Sequence, residues 1–598
     1  MPPSPLDQDV SLSCYSIKVE GKEIDSTLQV RSIDTWSAVN KIPRARLVIY
    51  DGDPSTGTFP ASASATFIPG KKVDIGLGYE EKTVSVFQGV IIKQGIEIPR
   101  NSGSTLVVEI ADPAIKMTLQ RSTAVFEKTT DSDLIGKLIS NNGLSKDVES
   151  TTPQYEDVVQ YWASDWDMML TRAEANGFVV TAMGGKVTVK TPDTSAAAVL
   201  KVTYGDNSLL SLEAEMDSTT QLAADAVKSY SWNYGTQSVD EAGSGSVSVT
   251  EPGNLSSAEL AKVFNVKCPQ QTGSMLPSGA PKSWSAAELL RAKLSKIRGS
   301  VRFQGSNLVK PGTMIELAGL GPRFNGSAWV GGVHHSMSDN NWLTTAAFGL
   351  SAPWFADEAN NITAPPASGL LPGILGLQTG IVKAVAEDPD GNFRVQVSVP
   401  LLHDDAKMLW ARMAGFYASD QVGAFFYPEQ GDEVVLGFTN QDPNAPIILG
   451  ALYSKKRKPP VTPDKENNIK TILTRSKLEV RFDDKDKILT IQTPAKQSMV
   501  LDDKAKSVTV KDANDNKITL SSSGVTIESA SNLTLKAKAN ITVEAGANLD
   551  MTAKANLSAE GLQVGLKGKA KFSADGAASA ELTSSGILTV RGSLVKIN

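Results

Sequence analysis

Apolar and polar residues alternate in short runs through the first 118 positions, as in "SIKVE" (16–20), "ARLVIY" (45–50), "KKVDIGLGY" (71–79) and "STLVVEIAD" (104–112). A period of two, punctuated by Gly, Pro, Asp and Ser, predicts strands of a sandwich or barrel. Between 119 and 200 the period lengthens. "DSDLIGKLISNNG" (131–143) and "SDWDMMLTRAEANG" (164–177) predict helices, the second capped by Ser164 and ended by Gly177. Trp166, Met169, Leu170 and Ala173 share one face of it at helical spacing. A third helix is expected from Ser285, with Glu288 completing a capping box and Leu290, Leu294 and Ile297 as its apolar stripe. Strands return at "TMIELAG" (313–319), "AWVGGVHH" (328–335) and "NWLTTAAFG" (341–349). "NNITAPPASGLLPG" (360–373) is a Pro/Gly-rich hinge.

After about residue 460 the pattern simplifies to apolar-polar-apolar triplets: "LTI" (489–491), "VTV" (508–510), "ITL" (518–520) and "VTI" (525–527). It then tightens into eights, NLTLKAKA, NITVEAGA and NLDMTAKA, over residues 532–555. Within each eight the apolar positions are two apart, so Leu533/Leu535, Ile541/Val543 and Leu549/Met551 each point to one side of a strand. One such strand per repeat encloses nothing, and stacking must supply the buried face. One chain coiling three repeats per rung would do this, and so would three chains each forming one wall of a prism.

Composition reinforces the division. All Trp, Tyr and His residues precede position 460, and the only later aromatics are Phe482 and Phe572. The last 130 or so residues therefore lack the aromatic filling of an ordinary β core. At 598 residues the chain is long enough for three or more domains. Its net charge of -6 gives no basic surface for nucleic acid. Cys14 and Cys268 are too few for a disulfide framework and are expected to be buried small hydrophobes in a reducing compartment. The opening "MPPSPLDQDVSLS" lacks the basic and apolar regions of a signal peptide, so synthesis in the cytoplasm without a cleaved leader is expected.

Candidate chemistry is sparse. His334 and His335 are adjacent, so on a strand they face opposite ways and cannot chelate one ion. His403 lies beside Asp404 and Asp405, short of the three or four convergent ligands a metal needs. Asp483/Asp484 and Asp502/Asp503 suit solvated turns better than acid–base work. "SKKRKPP" (454–460) fits a solvated linker better than a phosphate patch. Neither a phosphate-binding G-x-x-x-x-G-K-[ST] loop nor a G-x-S-x-G elbow occurs.

The segment 376–454 contains "GIVKAVAEDPDGNFRVQVSVP" (380–400), "WARM" (410–413), "GAFFYPEQGDEVVLGF" (423–438) and "QDPNAPIILGALY" (441–453). These resemble the OB-fold segment of VgrG-type spike proteins of type VI secretion and related contractile injection machines. The likeness runs from an Asp390-Gly391 turn and an Arg-Val-Gln-Val strand into Pro400 to Gly431-Asp432-Glu433-Val434-Val435 and Leu449-Gly450. Residues 157–178 and 308–335 resemble the hub of the same family, and 467–486 the start of its needle; the first 120 residues match in pattern only.

The resemblance implies a mainly β, multidomain homotrimer. It would comprise a phage-hub-like β-barrel region with α/β insertions (1–375), an OB-fold neck (376–454), a linker (455–470) and a triple-stranded β-prism needle (471–598). Leu533, Leu535, Ile541, Val543, Leu549 and Met551 would face the trimer interior. Leu594, Val595 and Ile597 would meet a PAAR-repeat tip. Other implied partners are the inner tube, baseplate proteins, effector cargo and, transiently, a target membrane. Neither a lysozyme between neck and needle nor an effector after Asn598 is visible, so no catalysis and no cofactor is expected. The rival readings are an enzyme or effector on a spike scaffold, and a single-chain β-helix adhesin.

Overall fold

The computed structural model describes residues 2–7, 12–100, 103–402 and 408–597. His403, Asp404 and Asp405 lie outside the described residues. The chain divides into two compact units, Met1–Leu452 and Tyr453–Asn598.

In the first unit the alternating strands join one 13-stranded sheet. Ser13–Val19, Arg44–Tyr50, Lys72–Tyr79 and Thr105–Ala111 contain the runs picked out by period two. Their inward residues, among them Ile17, Leu47, Ile49, Ile75, Leu77 and Leu106, fill one buried cluster. Val30–Ala38 pairs antiparallel with Gly326–Ser338, three hundred residues later, setting Trp36 against His334. That pairing joins the two strand groups of the expected β-barrel hub into one continuous sheet. Leu200, Val301, Phe303, Ile315 and Val330 form a second core on the later strands.

The two predicted helices are Asp131–Asn141 and Asp165–Ala175. Thr130 caps the first, accepting from the Asp133 amide, and Ser164 caps the second, accepting from the Asp167 amide. Gly177 takes φ +73° just beyond the end, where a side chain would be strained. Trp166, Met169, Leu170 and Ala173 are all buried against the first helix's Leu134, Ile135 and Leu138. Two ion pairs hold these helices, one between them and one to the helix Ala280–Leu294. Arg172 makes a bidentate pair with Asp131 (2.6 and 2.9 Å), and Arg291 pairs with the buried Glu174. Glu174 also accepts from the Phe355 amide at 2.7 Å, so its charge is not left bare.

The third helix departs from expectation. It spans Ala280–Leu294 and starts at Gly279, because Pro281 in its first turn needs no amide partner. Ser285 is buried mid-helix, bonded to Ser229 (2.7 Å) and to the Pro281 carbonyl (3.0 Å). Glu288 accepts from the Trp354 indole and closes no capping box. Ile297 opens the next strand, Ile297–Gln304. Cys14 and Cys268 are half-buried, because both sit in strands whose faces are only partly covered.

A small closed barrel ends the unit, ordered Gln378–Ala384, Val395–Ser398, Leu409–Met413, Pro446–Ala451, Glu433–Phe438. Val382, Val395, Val397, Val434, Leu436 and Ile448 fill it. In its first loop Gly391 takes φ +68°, and Arg394 donates to both carboxylate oxygens of Asp388 at 3.0 and 2.6 Å.

His335 is the titratable group most at odds with its surroundings. It is buried, bonded to Thr344 at 2.9 Å and packed beside Trp342. Burial first, and the neighbouring His334 second, push its pKa down to about 3. An unfolded His takes up its proton near pH 6.5. Below that the unfolded chain binds a proton the folded one refuses, so stability is full above pH 6.5 and falls as pH drops toward 3. The loss attributable to this group is on the order of 5 kcal/mol once pH falls below 3. Denaturant titrations from pH 7 to 4, followed by tryptophan fluorescence, should show this slope, and His335→Gln should flatten it.

Candidate functional site

The second unit is built differently. Seven five-residue strands, from Ile469–Leu473 to Gly524–Glu528, form an antiparallel meander in which each pairs with the next. The registers are direct, without bulges, so side chains align in columns. One column runs Ile472, Val480, Ile491, Met499, Val510, Ile518, Ile527. Beside it, on the same face, runs Phe482, Leu489, Leu501, Val508, Leu520, Val525. The opposite face carries Thr471, Arg481, Thr490, Val500, Thr509, Thr519 and Thr526 in a central, mostly polar column.

The apolar face has no second layer within its unit. Ile491, Val510, Ile518 and Leu520 are each more than 40% exposed, and Val525 67%. An open groove over this face is lined by Met499, Val510, Ile518, Ile527 and, at the start of the repeats, Leu533. Soluble proteins rarely leave so continuous an apolar surface uncovered.

The repeats extend the deficit from side chains to backbone. Among the described residues, none between 531 and 597 belongs to a strand or makes a backbone–backbone hydrogen bond. The strands expected there are not formed within one chain. Were this backbone buried, its N–H and C=O groups would need partners, and among the described residues no other backbone of the same chain supplies them. A coil of three repeats per rung would pair strands within the chain, and that arrangement is absent from the described residues.

Leu533, Leu535, Ile541, Val543, Leu549 and Met551 are all exposed in the single chain, as are Leu594, Val595 and Ile597. Sequence reading missed the two apolar columns ahead of the repeats. The triplets "LTI", "VTV", "ITL" and "VTI" were their signature, since each contributes one residue to each column around a central Thr.

The other candidates resolve into structural parts. His334 bonds Asp34 at 2.9 Å and stacks on Trp36, while His335 points the other way to Thr344. Among the described residues no three His, Cys, Asp or Glu side chains converge as metal ligands do. Asp483 accepts the Lys485 and Asp486 amides at 3.1 Å, and Asp502 the Ala505 amide at 2.7 Å. Both cap hairpin turns between strands. Asp484 pairs with Lys470.

Residues 9–339, more than half of the chain, match the family model described as the Alg8 N-terminal domain. Residues 378–453 match that of the type VI secretion system/phage-baseplate injector OB domain, and 488–555 that of the phage baseplate V C-terminal trimerisation domain. A Pseudomonas aeruginosa protein, type VI secretion system spike protein VgrG5, is 30% identical over 118 residues. That stretch is 19% of this chain and only 14% of the relative. The 43 kDa tail protein of prophage MuSo2 from Shewanella oneidensis is similar in structure, with 12% identity and a TM-score of 0.41 over 56% of this chain and 98% of that one. An E. coli component of the type VI secretion system gives 15% identity and a TM-score of 0.38 over 73% and 99%.

The uncovered columns make a sharp test. Leu489→Asp places a carboxylate in the middle of the apolar face. If that face is buried by association, the substitution should cost at least several kcal/mol per copy. Analytical ultracentrifugation should then show dissociated chains, whereas Thr490→Asp on the opposite face should leave the mass unchanged.

Proposed function

We propose a mechanical role for this chain, which belongs to the family of the Alg8 N-terminal domain and is a VgrG-type spike protein. Three copies wind their second units into a β-prism needle, with the OB-fold barrels as a neck and the first-unit sheets as a hub. One observation carries the reading. The second unit has an apolar face and about 67 described residues without a backbone–backbone hydrogen bond, and two further copies would supply partners for both.

In this assembly Leu533, Leu535, Ile541, Val543, Leu549 and Met551 turn toward the three-fold axis. Small Ala and Gly residues between them let three walls approach closely. Leu594, Val595 and Ile597 form the apolar ring on which a PAAR-repeat tip sits. The hub docks on the inner tube and baseplate, and sheath contraction drives the needle through a target membrane with its effector cargo. The particle thereby expels the chain from the cell that made it. The role requires no catalytic step, no cofactor and no nucleic acid.

Under native conditions the mass should be three times 63.5 kDa. A species at the single-chain mass would refute the needle. Ile541→Asp should abolish resistance of the assembled species to heat and detergent, read as loss of the slow band on an unboiled gel. Lys538→Asp, a change at a polar position of the first repeat, should leave it intact.

A further inference from the structure

The barrel carries an arm that its own fold does not use. Between Leu409–Met413 and Glu433–Phe438 the chain makes a short hairpin, Ala418–Ser419 paired with Val422–Gly423. The Ala424 amide donates to the Tyr417 carbonyl at 2.9 Å, closing the hairpin. Phe416, Tyr417, Val422, Phe425 and Phe426, in and beside it, are all exposed, Phe416 at 87% and Phe425 at 79%.

Four aromatic side chains thus stand on one short arm, each more than half exposed. It is also too short to hold itself, since two-stranded hairpins are marginal in water and this one has two paired positions. Its base is nevertheless fixed. The Tyr427 hydroxyl donates to the Phe393 carbonyl at 2.7 Å, and Tyr427 stacks on Phe425 with ring centroids 4.5 Å apart. The four aromatic rings offer on the order of 500 Å² of apolar surface, toward the upper end of what a monomer leaves bare and a size that often marks an interaction site.

We infer that the Gly415–Tyr427 arm inserts between the barrels of neighbouring copies, locking the neck by a contact separate from the needle. The inference rests on the trimeric reading. The occupant follows from chain connectivity: the barrel's last strand ends at Ala451, and the needle's first begins at Ile469. Three needles wound together therefore hold three barrels within a short linker's reach of one another, at a high effective concentration. In that assembly the barrel of a second copy is always within reach of the arm.

The test uses the full-length protein with the photoreactive p-benzoylphenylalanine at position 416 or 425, which keeps an aromatic side chain there. After irradiation, a denaturing gel should show a species of twice the single-chain mass, with the cross-link mapping to residues 376–454 of another copy. Phe416→Ser with Phe425→Ser should lower the melting temperature of the assembled protein without changing its native mass. A three-chain native mass with cross-links confined to one chain, or formed to a different protein, overturns the arm and leaves the needle standing. A single-chain native mass overturns both.

Discussion

Unsatisfied backbone is the constraint on which the second unit depends. An extended strand presents a row of N–H and C=O groups on each edge, and each must find a partner or remain in water. In the seven-stranded meander consecutive strands satisfy one another, and only the face is left open. Past Glu528 even that ceases, because the eight-residue repeats return no strand to lie beside the one before. Edge and face then call for the same remedy. Copies lying side by side along one axis pair the edges and bury the columns together.

The first unit obeys a different logic, and the contrast explains the composition. It closes its own cores with Trp342, Phe67, Phe303 and the aliphatic residues around them. Its buried charges are compensated in place: Asp131 by Arg172 and Asn176, Glu174 by Arg291, and Lys296 by Glu251 at 2.8 Å. Such pairs make weak stabilisers and strong specifiers of geometry, since removing one partner strands the other in a dry interior. After residue 460 Phe482 and Phe572 are the only aromatics, and the apolar columns consist mostly of Leu, Ile and Val, each contributing about 1.5–3 kcal/mol where association buries it.

Local devices in this chain were readable from sequence, and long-range ones were not. Ser164 and Gly177 bracket their helix because capping and left-handed closure involve only neighbouring residues. Ser285 misled for the opposite reason. It looked like a cap, but its partner is Ser229, and Glu288 is claimed by Trp354 from sixty-six residues away. The fusion of two strand groups through Val30–Ala38 and Gly326–Ser338 likewise has no local mark. In the second unit, the side that each apolar residue takes was plain from the period of two. What that side meets was not, because a covering layer leaves no mark in the local pattern of a strand. Only the likeness of residues 376–454 to a known spike family pointed toward three chains.

The threonine column bears on why the unit is a meander first and a repeat afterwards. Thr471, Thr490, Thr509, Thr519 and Thr526 stand on the polar face opposite the apolar columns. β-branched residues stiffen a strand and pack well across a ladder. The meander can thus form within each chain and offer a preformed apolar wall before any partner arrives. The repeats cannot, since they have no intrachain ladder to start from. Assembly that begins at the meander and proceeds toward Asn598 therefore avoids exposing the repeats alone. Each newly wound layer gains its hydrogen bonds and its buried face in the same step. In the proposed trimer such coupling would make assembly slow to start and the product hard to unwind once complete, the mechanical property that a needle under axial load requires.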